Sequence, residues 1–268
     1  MKKIFLMFVV ALQMSAAMLT LPVTAIDEDA STATVKIEKI DVGMSGFIIH
    51  QIAPDHNSIL KNVVVTSYDA TSKKATLLMS DFDALRNNAL PKGEWKVKVG
   101  DNVILAFGYD RALLLAPSEE IFYKLSKSVK IQWIHPDIFA TMLSFEGHPT
   151  PQKEDFDIFT TAASVGLIFL YLDDKVYTID AKSFVILNIA DAPLIQDNEV
   201  LPFYTRVEKI EQAWWGWFGG GSSYMSDYAP HYYELLIEHN PRNKVLYEIV
   251  KKQGEKLHYL LNDFDFKE

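Results

Sequence analysis

The chain has 268 residues, 49% apolar and 23% charged, with a formal net charge of −9 and no cysteine. Such a composition gives one large or two small globular domains with their own cores rather than a disordered chain. The missing thiols exclude a disulfide framework, a cysteine nucleophile and a cysteine zinc site, and the acidic balance argues against a nucleic-acid partner, which would need clustered Lys and Arg.

Lys2 and Lys3 followed by the apolar run Ile4 to Leu12, with Val23-Thr24-Ala25 as an A-x-A-type site, read as a signal peptide over 1–25. The competing reading is a retained anchor over Ile4 to Leu21, interrupted by Gln13, Ser15 and Thr20, through which alone the chain would touch a membrane. Residues 26–34 are small and polar, as in a flexible lead-in. From Val35 short β-rich runs follow one another: Val35 to Ile40, Phe47 to Ile49, Val63 to Val65, Ala75 to Met79 and Val103 to Leu105. With Gly and Asp at their turns, they predict a barrel-like unit over 35–108. Ser80 to Leu90 reads as a short helix.

The stretch from Tyr109 to Phe139 organises the rest. Arg111 to Ala116 reads as a strand: its apolar run Ala112 to Ala116 is too short for a helix and is closed by Pro117, as in a strand covered on both faces. Ser118 with Glu119 and Glu120 is a helix start, Lys130 to Ile134 a second strand, and Pro136 a second helix start. In that helix Ile138, Phe139, Met142 and Phe145 are the expected inward face. Thr150-Pro151 predicts another helix start, with Phe156 and Phe159 inward. Val165 to Leu172, Lys175 to Asp180 and Phe184 to Leu187 predict a meander, turning first at Asp173-Asp174. Phe203 to Ile210 reads as a last strand. Tyr232 to Glu238 and Lys244 to Leu261 read as helices broken at Gly254, with a hairpin around Asn240-Pro241 as the alternative.

The expected class is therefore α+β: a small barrel-like unit, an α/β domain with a mixed sheet over 109–205, and C-terminal helices within 206–268. No His pair stands at a metal-ligand spacing, and no nucleophile motif is complete. Ser58 and Lys61 form an isolated S-x-x-K, and Asp81-Phe82-Asp83 lacks the Gly a calcium loop needs, Arg86 standing there. His135-Pro136-Asp137 sits where a crevice outside the strand ends would lie, although a helix cap is the better explanation. The residues point to a non-enzyme with no cofactor and no metal. Trp214, Trp215, Trp217 and Phe218 beside the glycines at 219–221 are the candidate partner-binding residues, with coverage of a sheet face as the alternative.

Several of these stretches resemble the N-terminal domain of the plasminogen-binding protein family of Helicobacter and related Campylobacterota. They are Tyr109 to Pro117, Ile134 to Ala140, Pro149-Thr150-Pro151 with Glu154-Asp155-Phe156, Asp180 to Phe184, Gly43 to His50 and Ala89-Leu90-Pro91. The resemblance implies an exported protein of the periplasm or surface of a Gram-negative cell that binds host plasminogen. In that family a lysine-rich C-terminal region ending in lysine engages plasminogen's kringles. Here the sequence closes on Phe266-Lys267-Glu268, so Lys251, Lys252, Lys256 and Lys267 are the candidates. The alternative is a periplasmic scaffold or accessory subunit of an envelope complex such as the flagellar motor.

Overall fold

The computed structural model describes residues 18–82, 95–195, 198–212 and 223–266. Six strands form a closed antiparallel barrel in the order β1-β2-β5-β4-β3-β6: β1 (Leu19–Asp27), β2 (Thr32–Lys36), β3 (Ser45–Ala53), β4 (His56–Asp69), β5 (Lys74–Asp81) and β6 (Asn102–Leu105). The second sheet runs β11-β10-β9-β7-β8 and is mixed. In it β7 (Arg111–Leu115) lies parallel to both β8 (Gln132–Ile134) and β9 (Leu167–Leu172). β10 (Lys175–Asp180) and β11 (Ile186–Asp191) continue it as an antiparallel meander. The α+β class, the barrel and the meander thus match the sequence reading.

The barrel begins earlier than the sequence suggests. The stretch read as leader end and flexible lead-in forms the hairpin β1–β2, in which Ala25 pairs with Thr34 and Asp27 with Thr32. On its other edge β1 closes the barrel against β6, with Leu21 opposite Val103. Val23 is 1% exposed, so the expected cleavage site stands inside a barrel strand. The sequence carries the period-two pattern Leu19, Leu21, Val23, but the apolar residues upstream merge with it and hide the alternation.

The barrel also explains the apolar runs of the second sheet. Along β7, Leu113 and Leu115 join the core beneath the helices, whereas Ala112 and Leu114 join the core shared with the barrel. β9 alternates the same way: Ile168, Leu170 and Leu172 toward the helices, Leu167, Phe169 and Tyr171 toward the barrel. Because both faces are covered, all six residues of β9 are buried.

The helices start as their sequences dictate. Ser118 caps α1 (Glu119–Ser128), accepting from the Ile121 N–H at 3.4 Å, and α2 (Pro136–Glu146) begins on its proline. α3 (Lys153–Ala163) starts at Gln152 rather than Thr150, because the Asp155 carboxylate accepts from the Gln152 N–H at 2.8 Å. The inward face of α2 is Phe139, Ala140 and Leu143, leaving Ile138 57% and Phe145 81% exposed. Apolar residues lie on both sides of this helix, and the sheet takes the stripe that continues Pro136.

Residues 203–210 run as irregular coil, not as a strand, with Phe203 and Ile210 buried at the helix-side core and the Tyr204 N–H bonded to Ala116 O. α4 (Tyr228–His239) and α5 (Lys244–Lys252) follow, and after Gly254 a 3-10 helix covers Glu255–Asp263. Asn240 fixes α4 to the sheet edge: its Oδ1 accepts from Ile186 N, and its Nδ2 donates to Phe184 O and Leu236 O. The expected helix at 80–90 lies largely outside the described residues; Ser80 and Asp81 belong to β5.

Barrel and sheet meet backbone to backbone. Gly166 N donates to Gly108 O at 2.9 Å, and a Cβ at Gly166 would stand 2.4 Å from the Gly108 carbonyl carbon. Only glycine lets the chain leaving the barrel cross the entrance to β9 at this range.

Candidate functional site

The most buried carboxylate sits at that junction. Asp180, at the end of β10, is 0% exposed. Its Oδ2 accepts from the Tyr109 hydroxyl at 2.6 Å, the Ser45 hydroxyl at 2.8 Å and the Ser45 N–H at 2.9 Å. Its Oδ1 accepts from the Lys182 and Ser183 N–H groups at 3.0 and 2.7 Å. Burial, reinforced by the Asp180 charge, pushes the Tyr109 hydroxyl far above the ordinary tyrosine range. The Ser183 hydroxyl donates to Gly43 O at 2.6 Å, a second tie to the barrel. Both carboxylate oxygens are thus occupied in binding the β10 turn to β3 and Tyr109.

The strand-end crevice is filled. At the carboxyl ends of β7 and β8, where open α/β sheets receive ligands, His135 is the N-cap of α2, its Nδ1 accepting from the Asp137 N–H at 3.2 Å. Asp137 holds the 203–206 coil: it accepts from the Thr205 hydroxyl at 2.9 Å, Arg206 N at 2.8 Å and Arg206 Nε at 2.6 Å. Burial opposes ionisation of Asp137, but these donors outweigh it and hold its carboxyl below the usual range. Burial lowers His135 below the usual imidazole value. The Tyr204 hydroxyl donates to Glu119 at 3.1 Å, and its ring packs 5.5 Å from Phe122, which also meets the His135 ring at 5.1 Å. The capping role accounts for His135-Pro136-Asp137.

Other polar pairs are structural in the same sense. His148 bonds Asp155 at 2.6 Å, and His50 bonds Asp101 at 2.7 Å, where Asp101 also closes the Lys98 turn. Asp55 stands exposed in the β3–β4 turn, and Lys61 pairs with Asp81. Among the described residues no three His, Asp or Glu side chains gather as a metal site.

The helix histidines set an acid sensitivity. Burial lowers His231 and His239 below the usual 6.5, against weaker opposing contributions from neighbouring groups. Each depressed imidazole leaves the folded state fully stable above 6.5 and costs stability as pH falls from there through its lowered value, because the unfolded chain takes the proton first. The melting temperature is expected to fall between pH 7.5 and 5.5. In His231→Gln, whose amide can still donate to Pro151 O, the fall should be shallower.

On the outer surface, Lys251, Lys252 and Lys256 are all exposed around the turn from α5 into the 3-10 helix. Lys251 lies over the Tyr247 ring at 5.8 Å, and Lys256 pairs with Asp227 at 2.9 Å. Trp214, Trp215, Trp217, Phe218 and Lys267 lie outside the described residues. The residues flanking the tryptophans are tied down near one corner: Glu211 N donates to the Ser144 hydroxyl of α2, and the Thr150 hydroxyl donates to Ser223 O. Phe145, in the same turn of α2 as Ser144, is the most exposed large apolar residue described, a feature the sequence pattern assigned to the core.

A family model described as "Plasminogen-binding protein pgbA N-terminal" matches residues 18–236. Plasminogen-binding protein PgbA of Helicobacter pylori (strain J99 / ATCC 700824) is 24% identical over 212 residues, covering 78% of this chain and 45% of that protein. The chain thus spans less than half the length of this curated relative. No solved structure matches. The family match takes in the whole barrel, the mixed sheet and most of α4, and the chain therefore belongs to the family of the pgbA N-terminal domain.

Proposed function

We propose that this chain is an exported, non-enzymatic module of the cell envelope that binds a protein partner, plasminogen, through lysine side chains. The observation that carries the reading is the placement of Lys251, Lys252 and Lys256 on one exposed turn in a member of a family named for plasminogen binding. All three side chains reach solvent, and the Lys251 contact with the Tyr247 ring and the Lys256 pair with Asp227 would be exchanged for the partner's groups on binding. The acids near the core support the non-enzymatic part: buried Asp180 and Asp155 and half-buried Asp137 are each engaged by nearby donors. Trp214, Trp215, Trp217 and Phe218 are the second candidate contact, since indole rings supply large contact area at binding hot spots.

Surface plasmon resonance of the purified chain on immobilised plasminogen tests this. Binding abolished by free lysine is expected, and Lys251→Ala/Lys252→Ala/Lys256→Ala should weaken it about tenfold, or ~1.4 kcal/mol, with the melting temperature unchanged. Trp214→Ser/Trp217→Ser should also weaken binding without lowering the melting temperature. Absence of lysine-sensitive binding removes the plasminogen reading.

A further inference from the structure

We infer that the export leader is removed between Ala17 and Met18, not after Ala25, so that the exported protein begins one residue ahead of β1. The inference rests on the reading of the chain as exported and adds the position of its processing site. The step is hydrolysis of the Ala17–Met18 amide by a signal peptidase: water adds across the bond, leaving a carboxylate on Ala17 and an ammonium on Met18.

Three observations converge on that bond. β1 starts at Leu19 and is hydrogen-bonded along both edges, to β2 and to β6, so a cut after Ala25 would take away Leu19 to Ala25 and open the barrel. Among the lost side chains, Val23 is 1% exposed and Leu19 and Leu21 pack against the same core. The family match independently begins at residue 18. Finally, Ser15-Ala16-Ala17 places small residues just beyond the apolar run Ile4 to Leu12, with Gln13 and Met14 between, the arrangement a signal peptidase reads. Val23-Thr24-Ala25 has the same small-residue grammar but belongs to the folded body.

The full chain, expressed with its own N-terminus in a Gram-negative host, decides between the two bonds by N-terminal sequencing and intact mass of the exported fraction. Met18 is the expected first residue. An exported protein starting at Ile26 overturns the inference while leaving export standing, and exported protein that retains Met1 overturns it as well. A chain that never leaves the cytoplasm removes the export reading itself. Two variants separate the sites: Ala17→Arg should make the unprocessed precursor the dominant species, whereas Ala25→Arg, at an exposed strand position, should be processed like the parent. The reverse pattern refutes the assignment.

Discussion

A chain that starts at Ile26 is expected to lose the barrel, while one that starts at Met18 unfolds cooperatively with the sheet. Removing Leu19 to Ala25 deletes the closing pairs of β1 with β6 and half of its hairpin with β2. Val23 alone contributes about 1.5–3 kcal/mol by burial, and Leu19 and Leu21 add to it, against a total stability of about 5–15 kcal/mol for a domain. Equally important, β2 and β6 become bare edges able to pair with other chains. Circular dichroism melting and size-exclusion chromatography of the two purified chains check this: the shorter one should aggregate or show no cooperative β-sheet transition. A shorter chain that melts within a few degrees of the longer one would show that closure of the barrel matters little.

The second large effect is expected at Asp180. Asp180→Ala strands five donors at once, the Tyr109 and Ser45 hydroxyls and the N–H groups of Ser45, Lys182 and Ser183. With a site 0% exposed, water cannot replace the carboxylate without loosening the junction. The expected cost is about 3–5 kcal/mol, which lowers the melting temperature by roughly 10 °C. Tyr109→Phe removes one donor and leaves the acid with its other partners, so about 1–2 kcal/mol is expected. Thermal denaturation of both variants tests the ranking. If Asp180→Ala costs no more than Tyr109→Phe, the carboxylate is not the centre of the junction.

Much of this architecture was legible where local chemistry decides it. Ser118 ahead of two glutamates, Pro136 at a helix start, Asp173-Asp174 between two apolar runs and Gly254 between two helices each mark a boundary that the fold keeps. The misreadings share a physical origin, which is that tertiary partners choose between patterns the sequence leaves equivalent. Leu19, Leu21 and Val23 alternate as a strand, yet they continue an apolar run and end in a cleavage-like tripeptide. α2 carries two apolar stripes, and the sheet selects Phe139 and Leu143 over Ile138 and Phe145. Phe203 to Ile210 alternates like a strand but serves as a cover whose Arg206 reaches Asp137. Asp180 gave no local sign of its role, because Ser45 and Tyr109, which define it, lie far away in the chain.

The pairing of β1 with β6 also orders events during folding. β1 can zip onto β2 as soon as Thr32 to Lys36 are available, but its opposite edge waits until Asn102 to Leu105 have been made. Until then the nascent barrel is an open ribbon, and the Asp180 latch, later still in the chain, cannot set. Such distant contacts make folding slow and leave the half-made ribbon prone to misassociation. Barrel closure therefore waits until the first and the sixth strands are both present, and until then their facing edges stay unpaired.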